Sequence, residues 1–596
     1  MALHVGILAA GTRSFNATMP VRASGDSNHV SFRRGSVYPP VVGLQLAVDD
    51  ARYATAGPMP KPEILRVRRR SRKSAVTIRL LATVPAMRHR DFTLWPTVEG
   101  YAAQQSVAAG ETVIVRCSSR VPAVDVDVVR LGAERTAVWS AQIEVGESPT
   151  PHHAWRFGCE WPESFAIATS RSWQPGMYEI RLSTGDGPRD ASEAFFVLRH
   201  AGPERPTKLF VLSTNTWQAY NQWGGRCLYS GAHEVSFLRP IERGYIARVI
   251  DDDGYDGRVA NIGDYDPTHQ RIQRYQAAHT YPLWSASSGW FNWERRFAVW
   301  AESQGIELDY AVDADLDRDS ELLTGRRLLV TAGHNEYWSW GMRDAVDSFV
   351  EAGGNWAIFS GNTSFWQVRY SDDHCSMVCF KGDARTSDPY RGGDQLHLLT
   401  SMWSDPLIGR PENTTIGLSF TRGGYARVGH ATPRSSGGYT VLTPDHWVFA
   451  GADLHYGDTI GAAATAVGYE VDGCDLAIVD GRVVPTGADS TPASLEVLAT
   501  APAHLISITV DVCEAPVALW AGVDPPGDLE HVASVLFGDD SPSNVDRIRR
   551  GNAVMAIFTK GEGTVFNAGS ANWCYGLGAD PTVEQVTANV INVLGS

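Results

Sequence analysis

The chain has no long hydrophobic run: nowhere in its 596 residues does an apolar stretch approach the roughly 18 positions that a membrane-spanning helix needs. A helical span is therefore not expected. The opening residues, MALHVGILAAG, lack the basic n-region of a secretion signal, so secretion is not expected; a cytoplasmic location is expected from the scattered cysteines. Basic residues are in deficit, 52 Lys and Arg against 67 Asp and Glu, for a formal net charge of −15. That balance argues against nucleic acid or an anionic membrane as partner and favours a small neutral or cationic one. The one basic run, 66–73 (RVRRRSRK), reads as a solvated segment beside a domain boundary.

Cysteine is sparse as well. Eight residues without a repeated spacing suggest reduced thiols rather than a disulfide framework, so Cys117 and Cys159 read as two buried free thiols. No Gly-x-Ser-x-Gly elbow and no GxxxxGK phosphate loop is present, which weakens serine hydrolase and nucleotide hydrolase readings. His374, Cys375 and Cys379 lack the second pair that would close a tetrahedral zinc site. Repeats and low-complexity tracts are absent too.

What is there is an ordinary globular composition, 43% hydrophobic and 20% charged, long enough for two or three domains. Residues 1–91 are irregular, with one strand candidate at 75–82 and no assigned fold. From 92 to 200, short alternating strands at 112–117, 124–131, 177–182 and 194–198, with turns such as AAGE and QPGM between them, predict an all-β immunoglobulin-like sandwich. After the linker HAGPERP, residues 207–596 show apolar strands that end in polar or glycine-rich turns and lead into amphipathic helices. This is the pattern of an α/β domain with a mostly parallel sheet, similar to amidotransferase-like folds. Its strand candidates are 208–213, 246–250, 308–312, 327–331, 355–359, 476–479, 505–510 and 554–558. Helices are expected at 293–303 and 342–352, the second stopping at Gly353 and Gly354.

Ligands of open parallel sheets sit beyond the carboxyl ends of the strands, so the candidates for chemistry are sought there. The first strand runs into a loop holding Trp217, Tyr220 and Trp223 among several amides, which reads equally as a packed aromatic surface or, together with Trp338, as the ring of a small pocket favouring a small or apolar substituent. RRLLVTAG is followed by His334, Asn335 and Glu336; His334 and Glu336, two apart on an extended segment, would face one cavity. Asn362 follows NWAIFS, where it could orient a carbonyl, although an ordinary turn asparagine is the commoner case. Glu470, in GYEVDG, is a further carboxylate on a short extended stretch; from its own residues a surface turn is the favoured reading.

Together these segments carry a resemblance. STNTWQAYNQWGGRCLY, FLRP, YAVDADL, GHNEYW, AGGNWAIFSGN, GYEVDG and GTVFNAGSANWCYGL are similar to the large (beta) subunit family of N,N-dimethylformamidase over about residues 208–594, and SVAAGETV and WQPGMYEIRL extend a weaker similarity into the sandwich. The resemblance implies a hydrolase of a C–N amide bond with a mononuclear ferric ion, Fe(3+), held by two tyrosines and one glutamate; hard oxygen donors suit a trivalent ion. It assigns Glu336 as the carboxylate ligand and Tyr220 as the first tyrosine. The second is placed at Tyr255 by its spacing to Glu336, with Tyr265 and Tyr245 as alternatives. It implies Glu470 as the base that takes a proton from the attacking water and returns one to the departing amine, and His334 and Asn362 as the groups that hold the carbonyl and stabilise the oxyanion. Asn335 departs from the family's usual aspartate and is expected to point away from the cavity.

Formamide-like or other small N-substituted amides are the expected substrates; a homo-oligomer and a requirement for a small subunit are both left open. Two other readings compete. One is a metal-free thiol hydrolase using Cys227, for which His233 is the nearby histidine. The other is a non-catalytic protein whose tryptophan-rich pocket binds a carbohydrate or small amide.

Overall fold

Segments such as KLFVL and LLVTAGH are apolar without alternation, and only a sheet covered on both faces can bury them. In the computed structural model the described residues are 96–596 apart from 186, 188–189, 203, 258–273, 425–436, 469, 503–527 and 549–550, together with the backbone of four short strands nearer the N-terminus. The chain divides into two compact units, Met1–Trp95 and Pro96–Ser596. The first holds two antiparallel ladders, Ala2–Ala9 with Arg13–Pro20 and His29–Val30 with Leu46–Ala47. The strand expected at 75–82 and the basic run lie outside the described residues.

A nine-stranded sheet organises the second unit. Its order is Asp309–Val312, Lys208–Leu212, Leu328–His334, Asn355–Gly361, Gly563–Asn567, Asn552–Lys560, Glu496–Pro502, Tyr439–Val441 and Thr459–Ile460. The first five strands run parallel. The remaining four pairings are antiparallel, beginning at the tight Gly561–Glu562 turn, where Gly561 takes φ +60°. The sheet is thus mixed, half parallel and half antiparallel.

Alternate residues along each central strand serve opposite faces. Phe210, Leu212, Val330 and Phe359 join one core with Phe297 and Trp300 of helix Glu294–Ser303 and Val586 and Val590 of helix Pro581–Leu594. Leu209, Val211, Leu329 and Ile358 join another with Met342, Val346 and Val350 of helix Trp340–Glu351. Each such side chain, once buried, contributes roughly 1.5–3 kcal/mol. The expected stop of this last helix is there: Gly353 takes φ +100°.

Residues 96–200 form two sheets around a shared core. Phe165–Ala168, Thr112–Ser119 and Val98–Ala102 make one; Ser106–Ala108, Ala191–Arg199, Gly176–Ser183, Ala123–Leu131 and Arg135–Glu144 make the other. Val113, Val115 and Ile167 of the first meet Val126, Ile180 and Phe196 of the second. These sheets are tied to the large one by Ser106 Oγ, which donates to both oxygens of Asp315 at 2.8 and 2.7 Å, and by the Arg130–Glu302 pair at 2.5 Å.

The large sheet is mixed where a mostly parallel one was expected, because the chain runs back and forth through the four strands beyond Gly563–Asn567, and two strand expectations also change. Residues 246–250 form no strand, and Val249 and Ile250 are 49% and 55% exposed. Leu476–Val479 is a strand, but it pairs only with Arg482–Pro485 in a separate hairpin that leaves Ile478 exposed. The strand expected at 505–510 lies outside the described residues. The seven described cysteines are free thiols, and Cys117 and Cys159 are both buried. No helix among the described residues is long and apolar enough to cross a membrane.

Candidate functional site

The first strand of the large sheet, Lys208–Leu212, has the second, Asp309–Val312, on one side and the third, Leu328–His334, on the other. Connections leaving its carboxyl end therefore diverge, which opens a crevice between the first and third strands. Into this crevice the chain sends helix Thr214–Tyr220, all of whose residues are buried. Two of its polar side chains hold neighbouring backbone, while Tyr220 at its end enters the site: Thr216 Oγ1 accepts the Glu336 amide at 3.0 Å, and Asn215 Nδ2 donates to the Tyr337 carbonyl at 3.0 Å. Arg239, of FLRP, fixes the helix exit by donating to the carbonyls of Ser236, Asn221 and Trp223 at 2.7, 2.8 and 2.7 Å. At Gly333 the backbone takes φ +81°, and a Cβ would lie 2.6 Å from Cβ of Trp293; glycine alone lets GHNEYW turn into the site.

Four oxygen-bearing side chains meet there. The Tyr229 hydroxyl donates to Glu336 Oε1 at 2.7 Å and lies 2.9 Å from Oε2. The Tyr220 hydroxyl is 3.2 Å from Glu336 Oε2 and 2.8 Å from the Tyr229 oxygen, and Tyr337 donates to the same Tyr229 oxygen at 2.9 Å. Trp284 closes over the two tyrosine rings at centroid distances of 5.8 and 5.3 Å. Across from Glu336, His334 Nδ1–H donates to the Ser287 carbonyl at 2.9 Å, leaving Nε2 3.3 Å from Glu336 Oε2 and 3.1 Å from Asn362 Nδ2. Asn362 Nδ2 also reaches Glu470 Oε2 at 3.2 Å, which is 3.8 Å from His334 Nε2.

The electrostatics separate the two carboxylates. Burial works against ionised Glu336, but His334, Lys381 and Tyr229 overcome it and hold its pKa below the usual carboxylate range. For Glu470 burial wins over the partial relief from His334 and lifts the pKa to about 7. Burial pulls His334 down, yet Glu470 and Glu336 together raise it to about 9. The phenols of Tyr220 and Tyr229 are pushed well above their ordinary range by burial first and by Glu336 second. Two phenol oxygens and a carboxylate within 3.2 Å of one another, Tyr220 and Glu336 buried and Tyr229 partly exposed, fit a hard, highly charged cation, whose charge would favour their ionised forms.

His334, Glu336, Asn362, Glu470 and Tyr220 are thus brought together as the alternation and motif positions led one to expect. Tyr255 is not among them. It packs edge-on against Tyr275 at 5.3 Å, in a separate aromatic cluster with Tyr281. Its choice counted residues through 246–250 as a strand, and that segment is irregular. Tyr245 is fully buried, and its hydroxyl has no hydrogen-bond partner among the described residues; Tyr265 lies outside them. The phenol beside Glu336 is Tyr229, the last residue of the QWGGRCLY segment.

The tryptophans expected around the pocket are core residues, each with its indole N–H committed: Trp217 to Glu294 at 2.8 Å, Trp223 to Glu99 at 2.7 Å and Trp338 to Asn335 at 2.9 Å. That last bond turns Asn335 away from Glu336. The aromatic wall is made by Trp284 and Tyr229 instead. Lys381, which no motif signalled, is half-buried, with its ammonium shielded from solvent 3.1 Å from the centroid of the Tyr229 ring and without a hydrogen-bond partner among the described residues. Cys227 and His233 are engaged separately: Cys227 Sγ accepts the Tyr229 amide at 3.4 Å, whereas His233 Nε2 is 3.0 Å from Asp383. His374 likewise faces Asp317 at 2.9 Å.

Comparison with known proteins places the chain in a family. The model of the family described as "N,N-dimethylformamidase beta subunit-like, C-terminal" matches residues 125–587. The N,N-dimethylformamidase beta subunits of Alcaligenes sp. and Paracoccus aminophilus are 23% and 22% identical over 391 residues, 59% of this chain and 46% of theirs. The chain spans about half the length of these curated relatives. With a match that covers the later strands of the two 96–200 sheets and nearly all of the large domain, the chain belongs to the N,N-dimethylformamidase beta subunit-like, C-terminal family.

Proposed function

We propose that the protein hydrolyses the C–N bond of small N-substituted amides, with a mononuclear ferric ion held by Tyr220, Tyr229 and Glu336. The observation that carries this reading is the convergence of the buried Tyr220 and Glu336 with the partly exposed Tyr229, opposite a second carboxylate, Glu470, with His334 and Asn362 between them. When bound, the ferric ion would supply Lewis acidity that makes water a better nucleophile and polarises a carbonyl. Glu470, with the more open carboxylate, takes a proton from the attacking water and returns it to the amide nitrogen, so that the products are a carboxylic acid and an amine. Asn362 Nδ2 and His334 Nε2 face the same space; as donors they hold the carbonyl oxygen as it gains charge. Trp284 and the Tyr229 ring limit access by water and favour a compact, apolar substituent on nitrogen.

The same reading takes the 96–200 sheets as an immunoglobulin-like supporting module and the large sheet as amidotransferase-like, supported by the shared two-sheet core and by the parallel strands around the crevice. A cytoplasmic location fits the free thiols.

The experiment separates the two candidate tyrosines. Tyr229→Phe protein is expected to lose at least about tenfold in iron affinity and to change its visible spectrum. Tyr255→Phe is expected to leave iron content, spectrum and cleavage of N,N-dimethylformamide as in the unaltered protein. The reverse pattern would remove Tyr229 from the ligand set.

A further inference from the structure

GYEVDG delivers a second carboxylate that the hydrolytic set does not use. Asp472 is fully buried, two residues beyond Glu470, and its Oδ2 accepts the Thr363 amide at 3.1 Å. The residue before Thr363 is Asn362, whose backbone takes φ +51°, a left-handed conformation that a non-glycine residue keeps only where its surroundings impose it. Ser364, next but one, takes φ +53°.

This turn is held from two sides. Toward GHNEYW, the Ser364 amide donates to the Asn335 carbonyl, and the Phe365 and Trp366 amides both donate to the Glu336 carbonyl, each at 2.9 Å. On the opposite side the Thr363 amide meets the Asp472 carboxylate. Asp472 is itself anchored: its amide donates to the Gly569 carbonyl and its carbonyl accepts the Val554 amide, both at 3.0 Å. The approach is close throughout, since a Cβ on Gly361 would stand 2.0 Å from the Glu470 carbonyl oxygen. Along the extended stretch, Glu470 and Asp472 therefore reach the same turn, one at the Asn362 side chain and the other at the Thr363 backbone.

We propose that Asp472 is a positioning residue. By accepting the Thr363 amide it holds Asn362 left-handed, and so fixes the amide group that spans His334 Nε2 and Glu470 Oε2. This rests on the amide-hydrolase reading for its consequence in turnover, but not for its consequence in structure. The role requires a hydrogen-bond acceptor of this shape and not a charge, so asparagine can fill it.

The test compares Asp472→Ala with Asp472→Asn by three readouts: turnover of N,N-dimethylformamide, hydrogen exchange of the Thr363 amide, and the nitrogen resonance of His334 Nε2. In Asp472→Ala, kcat is expected to fall by about a hundredfold with KM changed less than about threefold, as misplacement of a positioned group predicts. Thr363 exchange should accelerate, and the His334 resonance should move as it does in Asn362→Ala. Asp472→Asn should restore all three readouts. Unaltered Thr363 protection in Asp472→Ala, or an Asp472→Asn protein as impaired as the alanine variant, would overturn the proposal. If the unaltered protein cleaves no N,N-dimethylformamide, the hydrolase reading fails while exchange and resonance still decide the role of Asp472. Should the alanine variant not fold, the asparagine variant alone decides, protected and active or not.

Discussion

Glu336→Gln protein is expected to fold, to bind iron at least about a hundredfold more weakly and to lose amide turnover by about a thousandfold or more. The reasoning starts from the surroundings of Glu336. It is buried, accepts two phenol hydroxyls and lies 3.3 Å from the His334 imidazole, so glutamine of nearly the same shape keeps most of the hydrogen bonds and removes the charge. Because His334 and Lys381 hold that charge against burial, the neutral side chain leaves those cations without their partner, and the denaturant midpoint is expected to fall as well. What it removes is the anionic donor between two phenols. Iron content measured where the denaturant curve shows the variant folded separates the two effects: loss of iron from folded protein is the expected result, and retained iron with full turnover would exclude Glu336 as a ligand.

Glu470→Gln should show the complementary pattern. Glu470 touches Asn362 and lies 3.8 Å from His334, but no hydrogen bond joins it to Tyr220, Tyr229 or Glu336. Its removal is therefore expected to leave iron content and visible spectrum unchanged while kcat falls by about 10²–10⁴-fold, the usual contribution of a positioned acid–base group. KM should change little, since the glutamine can still accept from Asn362. Measured side by side, iron without turnover in Glu470→Gln and neither in Glu336→Gln would separate base from ligand. Equal iron loss in both would show that the two carboxylates act as one ligand set.

What could be read before the fold was known followed from local periodicity. His334 and Glu336 were legible because a two-residue repeat on an extended segment puts both on one side, and the structure brings their side chains to 3.3 Å. The strands 208–212, 328–334 and 355–361 were legible as unbroken apolar runs. Tyr229 was not, although it closes a motif that was recognised: the segment from 221 to 233 has no helical or strand period, so nothing local says where its side chains point. Tyr255 looked well placed only when residues were counted through an irregular stretch. Trp217, Trp223 and Trp338 look like pocket walls in a sequence, but an indole N–H also finds acceptors in a core, and here each has one. Leu476–Val479 is apolar enough for a core strand yet sits in an exposed hairpin, while Tyr439–Val441, three residues long, carries too little pattern to be noticed. Lys381 gains its place only from distant residues that bury it against Tyr229.

The most direct test is elemental analysis of protein purified without chelator, read with its visible absorption spectrum. Near-stoichiometric iron with a phenolate-to-iron charge-transfer band is the predicted result. Metal-free protein that remains inactive toward amides after iron is supplied would contradict the tyrosine-ligated hydrolase.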